Sequence, residues 1–237
     1  SGVMHLCLVL SIFIFFLGTV LASLHSHVYP ILAGSVFLAY KTTLNLAILL
    51  FTAGLGMALF RRCLKRPPHL SSDPRFTWVL ILLALSVYEG AFLESFHLAI
   101  EQPEWGGLAT VDWALARTWL ALEVPLASLQ TWHGILYGLH VITVAVILVT
   151  FPSSPLLHIL TTTLTVYFTD PDQPLGRLAP QPRNCNGEPA MGNSISSLPW
   201  FQLLEADACT ECGRCQSACP AFAAGLPLDP RQVLLGI

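Results

Sequence analysis

Charge is what this sequence has least of. Only 11% of its 237 residues are charged, against roughly 25% in ordinary soluble domains. The two signs nearly balance, at a formal net charge of −3. The few basic residues form no stripe, which excludes a nucleic-acid partner. A disulfide framework is excluded too. Of seven cysteines, Cys7, Cys63 and Cys185 are scattered and Cys209, Cys212, Cys215 and Cys219 are crowded together, too close for such a framework. What is abundant is apolar: 54% of residues are hydrophobic, with a mean hydropathy of +0.65. A soluble globule of this size has no interior for that much apolar surface, so the chain is read as a membrane protein.

Four stretches are long and apolar enough for the hydrocarbon core, which takes about 20 helical residues: Val3–Leu24, Ser35–Phe60, Phe76–Ile100 and Leu129–Phe151. A fifth, Val111–Ser128, carries Asp112, Arg117 and Glu123 with Pro125 near its end, and is predicted to lie in the interface as an amphipathic helix. The loop after the second span holds Arg61, Arg62, Lys65 and Arg66, with Arg75 beyond, whereas His25–Gly34 has no lysine or arginine and 101–128 is net acidic. Positive charge stays inside, so 61–75 and both ends of the chain are expected to face the cytoplasm. The chain opens on Ser-Gly-Val directly at an apolar span. With no basic flank it is not expected to be a signal peptide, and the chain is expected to be a piece of a longer protein.

Residues 169–198 are rich in Pro, Asn, Gly and Ser and read as a polar linker, with Cys185 an ordinary residue of it. A short helix is predicted over 199–206 and another after Asp229, with Asp229 as N-cap and Pro230 at the first helical position. Between them stands CTECGRCQSACP, from Cys209 to Pro220. The spacing C-x2-C-x2-C-x3-C-P is not that of a zinc ribbon. It ligates a [4Fe–4S] cluster through three cysteines and normally lends the fourth to a second cluster. Thiolate ligation suits a reducing compartment, in agreement with the charge rule. Cys7 reads as a buried small residue and Cys63 as a loop residue.

Ionisable groups inside a membrane point to function. By the order of the spans, His5 lies near the cytoplasmic face, and His158, beyond Pro152, returns to that same depth. Two neutral imidazoles at one depth suit a bis-histidine haem; the bland alternative is a pair of headgroup-facing histidines. His140 sits well inside a span. At the outer face Lys41, Glu94, His97 and His133 gather by depth, with Glu89 deeper. Glu94 and His97 share a helix face and are the candidate quinone and proton site with Lys41; the alternative is polar side chains reaching for the interface. Trp105, Trp113, Trp119 and Trp132 read as an aromatic belt there.

His140-x11-Pro152-x5-His158 resembles the last membrane helix of the gamma subunit of respiratory nitrate reductases, a dihaem cytochrome b. GVMHLCLVLSIFIFFLGTV resembles that family's second helix, with His5 at its first ligand and Phe15 where the next one falls. The resemblance implies haem b on His5 and His158 and a second haem on His140; since Phe15 stands at that family's next ligand position, His25, His27 or His97 is the candidate axial partner here. A further resemblance covers nearly the whole chain. MHLCLVLSIFIFFLGTVLASL, ALFRRCLKRPP and LLEADACTECGRCQSACPAFAAGLPLDP are similar to membrane-bound Fe–S oxidoreductases related to heterodisulfide reductase, including electron-transfer-flavoprotein:quinone oxidoreductases. That family implies a preceding helix, a second cluster motif and catalytic domains beyond the chain.

The expectation is therefore an all-α protein: a four-span transmembrane bundle with an interfacial helix, then part of a ferredoxin-like [4Fe–4S] domain. Residues 1–168 would be a nitrate reductase gamma-like cytochrome b domain, 169–198 the linker and 199–237 the start of the cluster domain. Its expected role is electron transfer between cytoplasmic iron–sulfur centres and the quinone pool through one or two b haems, in the plasma membrane of a prokaryote. The soluble partner would be electron transfer flavoprotein or a heterodisulfide reductase-like domain or subunit. The alternative is a non-catalytic membrane anchor or haem-based sensor with a cysteine-rich docking segment.

Overall fold

The computed structural model describes residues 2–67, 70, 71, 73–169 and 200–236. All but the first residue of the expected linker, Cys185 included, lies outside them. The chain is all-α, with no strand among the described residues. In order the helices are α1 (Gly2–His27), α2 (Gly34–Leu59), α3 (Pro74–Glu101), α4 (Thr110–Ala121), α5 (Leu126–Thr150), α6 (His158–Phe168), α7 (Trp200–Asp207), α8 (Arg214–Ala218), α9 (Pro220–Ala223) and α10 (Pro230–Leu235). Two compact units result. The first holds 1–67 and 77–149, the second 68–76 and 150–237.

Four helices, Gly2–His27, Gly34–Lys65, Pro74–Glu101 and Leu126–Ser153, are long and apolar enough to cross a membrane. They coincide with the four stretches read from the sequence, because a lipid-buried backbone must satisfy its own hydrogen bonds and helix is the form that does so. Their large apolar side chains point outward, Leu6, Phe13 and Phe16 on α1 and Ile135, Ile142 and Val149 on α5 among them, while Ser11, Asn45, Glu89, Ser95, Asp112 and Thr143 are buried. That distribution suits lipid outside and polar contacts within.

Lipid supplies no apolar drive between helices, so they associate through small residues and buried hydrogen bonds. Ser11 is fully buried on α1, and a Cβ at Gly54 of α2 would come within 3.0 Å of Cys7 Cβ and Leu8 Cγ. Gly54→Leu is expected to destabilise the first unit by about 1–3 kcal/mol, the usual cost of overpacking. Gly56→Leu is the control, since a Cβ there meets nothing within 4 Å. Thermal unfolding in detergent compares them, and equal melting temperatures would refute the α1–α2 contact.

The interfacial helix departs from expectation at its end. It was predicted to run to Ser128; α4 stops at Ala121. Glu123 takes a left-handed φ of 51°, and Pro125 and Leu126 open the next span. The expected tryptophan belt also separates. Trp132 is exposed, but Trp105, Trp113 and Trp119 pack on a buried core of Leu98, Ala99, Ala109, Ala116 and Leu129. Trp119 Nε1 donates to Ser95 Oγ at 3.1 Å. A Cβ at Gly106 would meet the Trp113 ring at 2.6 Å, so glycine there admits the indole. In these three, the packed ring face outweighs exposure to the interface.

Candidate redox and proton sites

The cysteine segment belongs to the second unit. Cys209 follows the end of α7, and Glu211 and Gly213 both take left-handed φ, 51° and 70°, so the chain reverses sharply before α8. Asp229 caps α10 as its sequence predicts, accepting from Arg231 N at 2.9 Å and Gln232 N at 3.4 Å. It also accepts from Gln216 Nε2 of α8 at 2.9 Å, which ties the last helix to the cysteine helix. All four cysteines are free thiols; Cys212 and Cys215 are exposed, Cys209 and Cys219 half-buried. Among the described residues no three His, Cys, Asp or Glu side chains converge on one point as metal ligands. Type, spacing and oxidation state of the four thiols fit an iron–sulfur cluster.

His158 is the first residue of α6 and donates from Nδ1 to the carbonyl of Pro155. A neutral ring with its proton on Nδ1 carries its lone pair on Nε2, the form in which a histidine binds a metal. Pro152 and Pro155 set this geometry by breaking the chain into two short 3-10 turns between α5 and α6. His158 and Cys209 line one cavity of about 170 Å³, with Arg75, Ser154, Asp207 and Glu211 around them. Arg75 binds Asp73 at 2.7 Å and approaches Glu211 at 3.6 Å, linking the α3 N-terminus to the cysteine turn. His5 is exposed on α1 and belongs to the first unit.

Of the outer polar group, Lys41 and Glu94 pair at 2.5 Å. Lys41 Nζ also lies over the rings of Phe37 and Trp105, at 5.5 and 5.8 Å. His97 does not join them; its Nε2 turns along its own helix to Glu101 at 3.4 Å. His25 Nδ1 accepts from Leu32 N at 3.0 Å, and His27 Nδ1 lies 2.7 Å from Ser26 Oγ.

Sequence reasoning passed over two members of this group. Asn45 Oδ1 accepts from the backbone N–H of Val111 and Asp112, at 2.9 and 3.1 Å, and so caps α4 from α2. Its amide nitrogen donates to Asp112 Oδ2 at 3.0 Å. Asp112 is 4% exposed, and Oδ1 has no partner among the described residues. Burial, then the nearby Glu94 charge, push its carboxyl up to about 7 against the pull of Asn45 and Lys41.

Residues 200–221 match the 4Fe-4S binding domain. Over 99% of its length the chain is 25% identical to the EtfAB:quinone oxidoreductase of Syntrophomonas wolfei, covering 34% of that protein. Over 85% it is 25% identical to the "Probable iron-sulfur-binding oxidoreductase FadF" of Bacillus subtilis, covering 28% of it. A 39-residue stretch is 54% identical to a "Probable membrane-anchored ferredoxin" of Chromohalobacter salexigens, 16% of this chain and 6% of that one. The chain thus spans about a third of the length of the relatives it matches most fully. No solved structure matches significantly.

Proposed function

We propose that this chain is the membrane electron-transfer part of a larger iron–sulfur oxidoreductase, connecting cytoplasmic iron–sulfur centres to the quinone pool of a prokaryotic plasma membrane through haem b. The observation that carries the reading is the cavity shared by His158 and Cys209, candidate ligands of two different redox centres. Resemblance to the EtfAB:quinone oxidoreductase supports electron transfer flavoprotein as the soluble carrier. A heterodisulfide reductase-like domain or subunit is the other candidate from the sequence.

Cys209, Cys212 and Cys215 hold the cluster as thiolates, with Cys219 available to it or to a neighbour. His158 would hold haem through Nε2, with Pro155 fixing its tautomer; the sequence offers His5 as the second candidate ligand. Cluster and haem, when bound, supply the one-electron carriers. Glu94, held by Lys41, and His97 are the groups offered to a quinone's protons. Of the partners considered for His140, His25 is disfavoured, because an accepting Nδ1 leaves the proton of a neutral ring on Nε2.

The test is a dithionite-reduced-minus-oxidised spectrum of membranes carrying the chain, with pyridine haemochrome quantitation. A b-type band is expected, and His158→Ala is expected to lose at least half of it with insertion intact. A flat wild-type spectrum, or one unchanged by His158→Ala, would refute haem ligation there.

A further inference from the structure

Near the middles of α3 and α5, Glu89 and His140 face each other with Oε2 and Nδ1 3.5 Å apart. Both atoms are buried without a hydrogen-bond partner among the described residues. Glu89 Oε1 is already taken, by the hydroxyl of Thr143 at 3.1 Å. Glu89 is 6% exposed, and a buried polar atom left alone costs about 1–3 kcal/mol, more if charged. The two orphaned atoms are each other's remedy.

Two proton arrangements close the pair. In one the carboxylic acid donates to Nδ1, and the ring proton then sits on Nε2. In the other Nδ1–H donates to the carboxylate and Nε2 carries the lone pair. The His140 side chain is 28% exposed although Nδ1 is buried, so the exposure belongs to the rest of the ring. An N–H turned outward there would face hydrocarbon, which accepts no hydrogen bond. An outward lone pair is what a metal takes up. Carboxylate, histidine and metal in line is a recurrent arrangement, in which the carboxylate fixes the tautomer and raises ligand basicity. Gly90, next to Glu89, lies beside the ring, where a Cβ would stand at an ordinary contact distance of 3.9 Å from His140 Cε1.

We propose that Glu89 is the positioning residue of a second haem site: it holds His140 with its proton on Nδ1 and so presents Nε2 as an axial ligand. The proposal rests on the haem-carrying reading given above. A negative carboxylate behind the ligand favours the ferric state, so Glu89 also lowers the midpoint potential of that haem.

The experiment uses the detergent-purified chain, wild type against Glu89→Gln, Glu89→Ala and His140→Ala, with pyridine haemochrome counts and an optical redox titration. Two haems are expected in the wild type and one in His140→Ala. Glu89→Gln, nearly isosteric, keeps both and raises one midpoint; Glu89→Ala raises it further and weakens haem retention about tenfold to a hundredfold. Loss of a haem in His140→Ala with both Glu89 variants unchanged in potential and occupancy overturns the role of Glu89 and leaves the haem reading standing. Full haem content in His140→Ala overturns ligation by His140, and with it the proposal. A haem-free wild type overturns both.

Discussion

Cys212→Ser is expected to abolish the cluster while leaving the membrane helices in place. A serine hydroxyl does not ionise at neutral pH and is a poor ligand for iron, whereas the thiol is readily deprotonated on a metal. Cys212 stands between Glu211 and Gly213, the two left-handed residues of the turn, and its side chain is exposed. It therefore contributes ligation and no packing, and its loss is silent for the fold. Non-haem iron and acid-labile sulfide, with the low-temperature EPR signal of the reduced cluster, are expected to fall to background. The haem spectrum proposed above is expected to persist, since its candidate ligands lie elsewhere in the chain. Non-haem iron at the wild-type level would exclude Cys212 as a ligand and, with it, the three-cysteine reading of the motif.

The stability of the first unit is expected to fall as pH rises from about 4 to about 7, and Asp112 is the cause. Its carboxyl is raised from 3.8 to about 7 in the folded chain. Over that window the folded state binds the extra proton and the unfolded state has already released it. Linkage then makes stability decline with pH, levelling off above the folded value. A three-unit difference corresponds to about 4 kcal/mol at most. The groups facing Asp112 are Lys41 and Asn45 from α2 and Glu94 from α3, so burial and Glu94 together outweigh the lysine and the amide. Asp112→Asn keeps an acceptor for Asn45 and never ionises. It is expected to flatten the pH profile and to exceed the wild type in stability above pH 7. Thermal unfolding in detergent between pH 4 and 8 measures this; parallel wild-type and Asp112→Asn curves would refute it.

Much of the architecture was legible because its signals are local. A run of apolar residues long enough for a bilayer has one stable backbone form, so the four spans could be located without knowing their neighbours. Asp229 followed by Pro230 announces a helix start, and α10 begins there. The cysteine spacing is equally local, and the match over 200–221 falls on it. Boundaries were less legible where two preferences met. Val111–Ser128 is amphipathic throughout, yet its helix ends where Leu122 and Glu123 turn out of helical geometry before Pro125.

Pairings were the part that sequence did not settle. Lys41 and Glu94 were grouped by depth, and they pair; His97, grouped with them, turns to Glu101 instead. A residue's depth follows from its position along a span, but its direction around the helix follows from what packs against it. Asn45 and Asp112 stand 67 positions apart, and only the packing of α4 on α2 makes them a cap and a buried carboxyl. Glu89 and His140 are the same case in the middle of the spans. The sequence by itself determined that this chain enters the membrane, where it does so, and which thiols stand ready for iron, because hydrophobicity and close spacing act along the chain. Only the tertiary structure decided which buried polar groups answer one another, because in a low-dielectric interior each must find a partner across space.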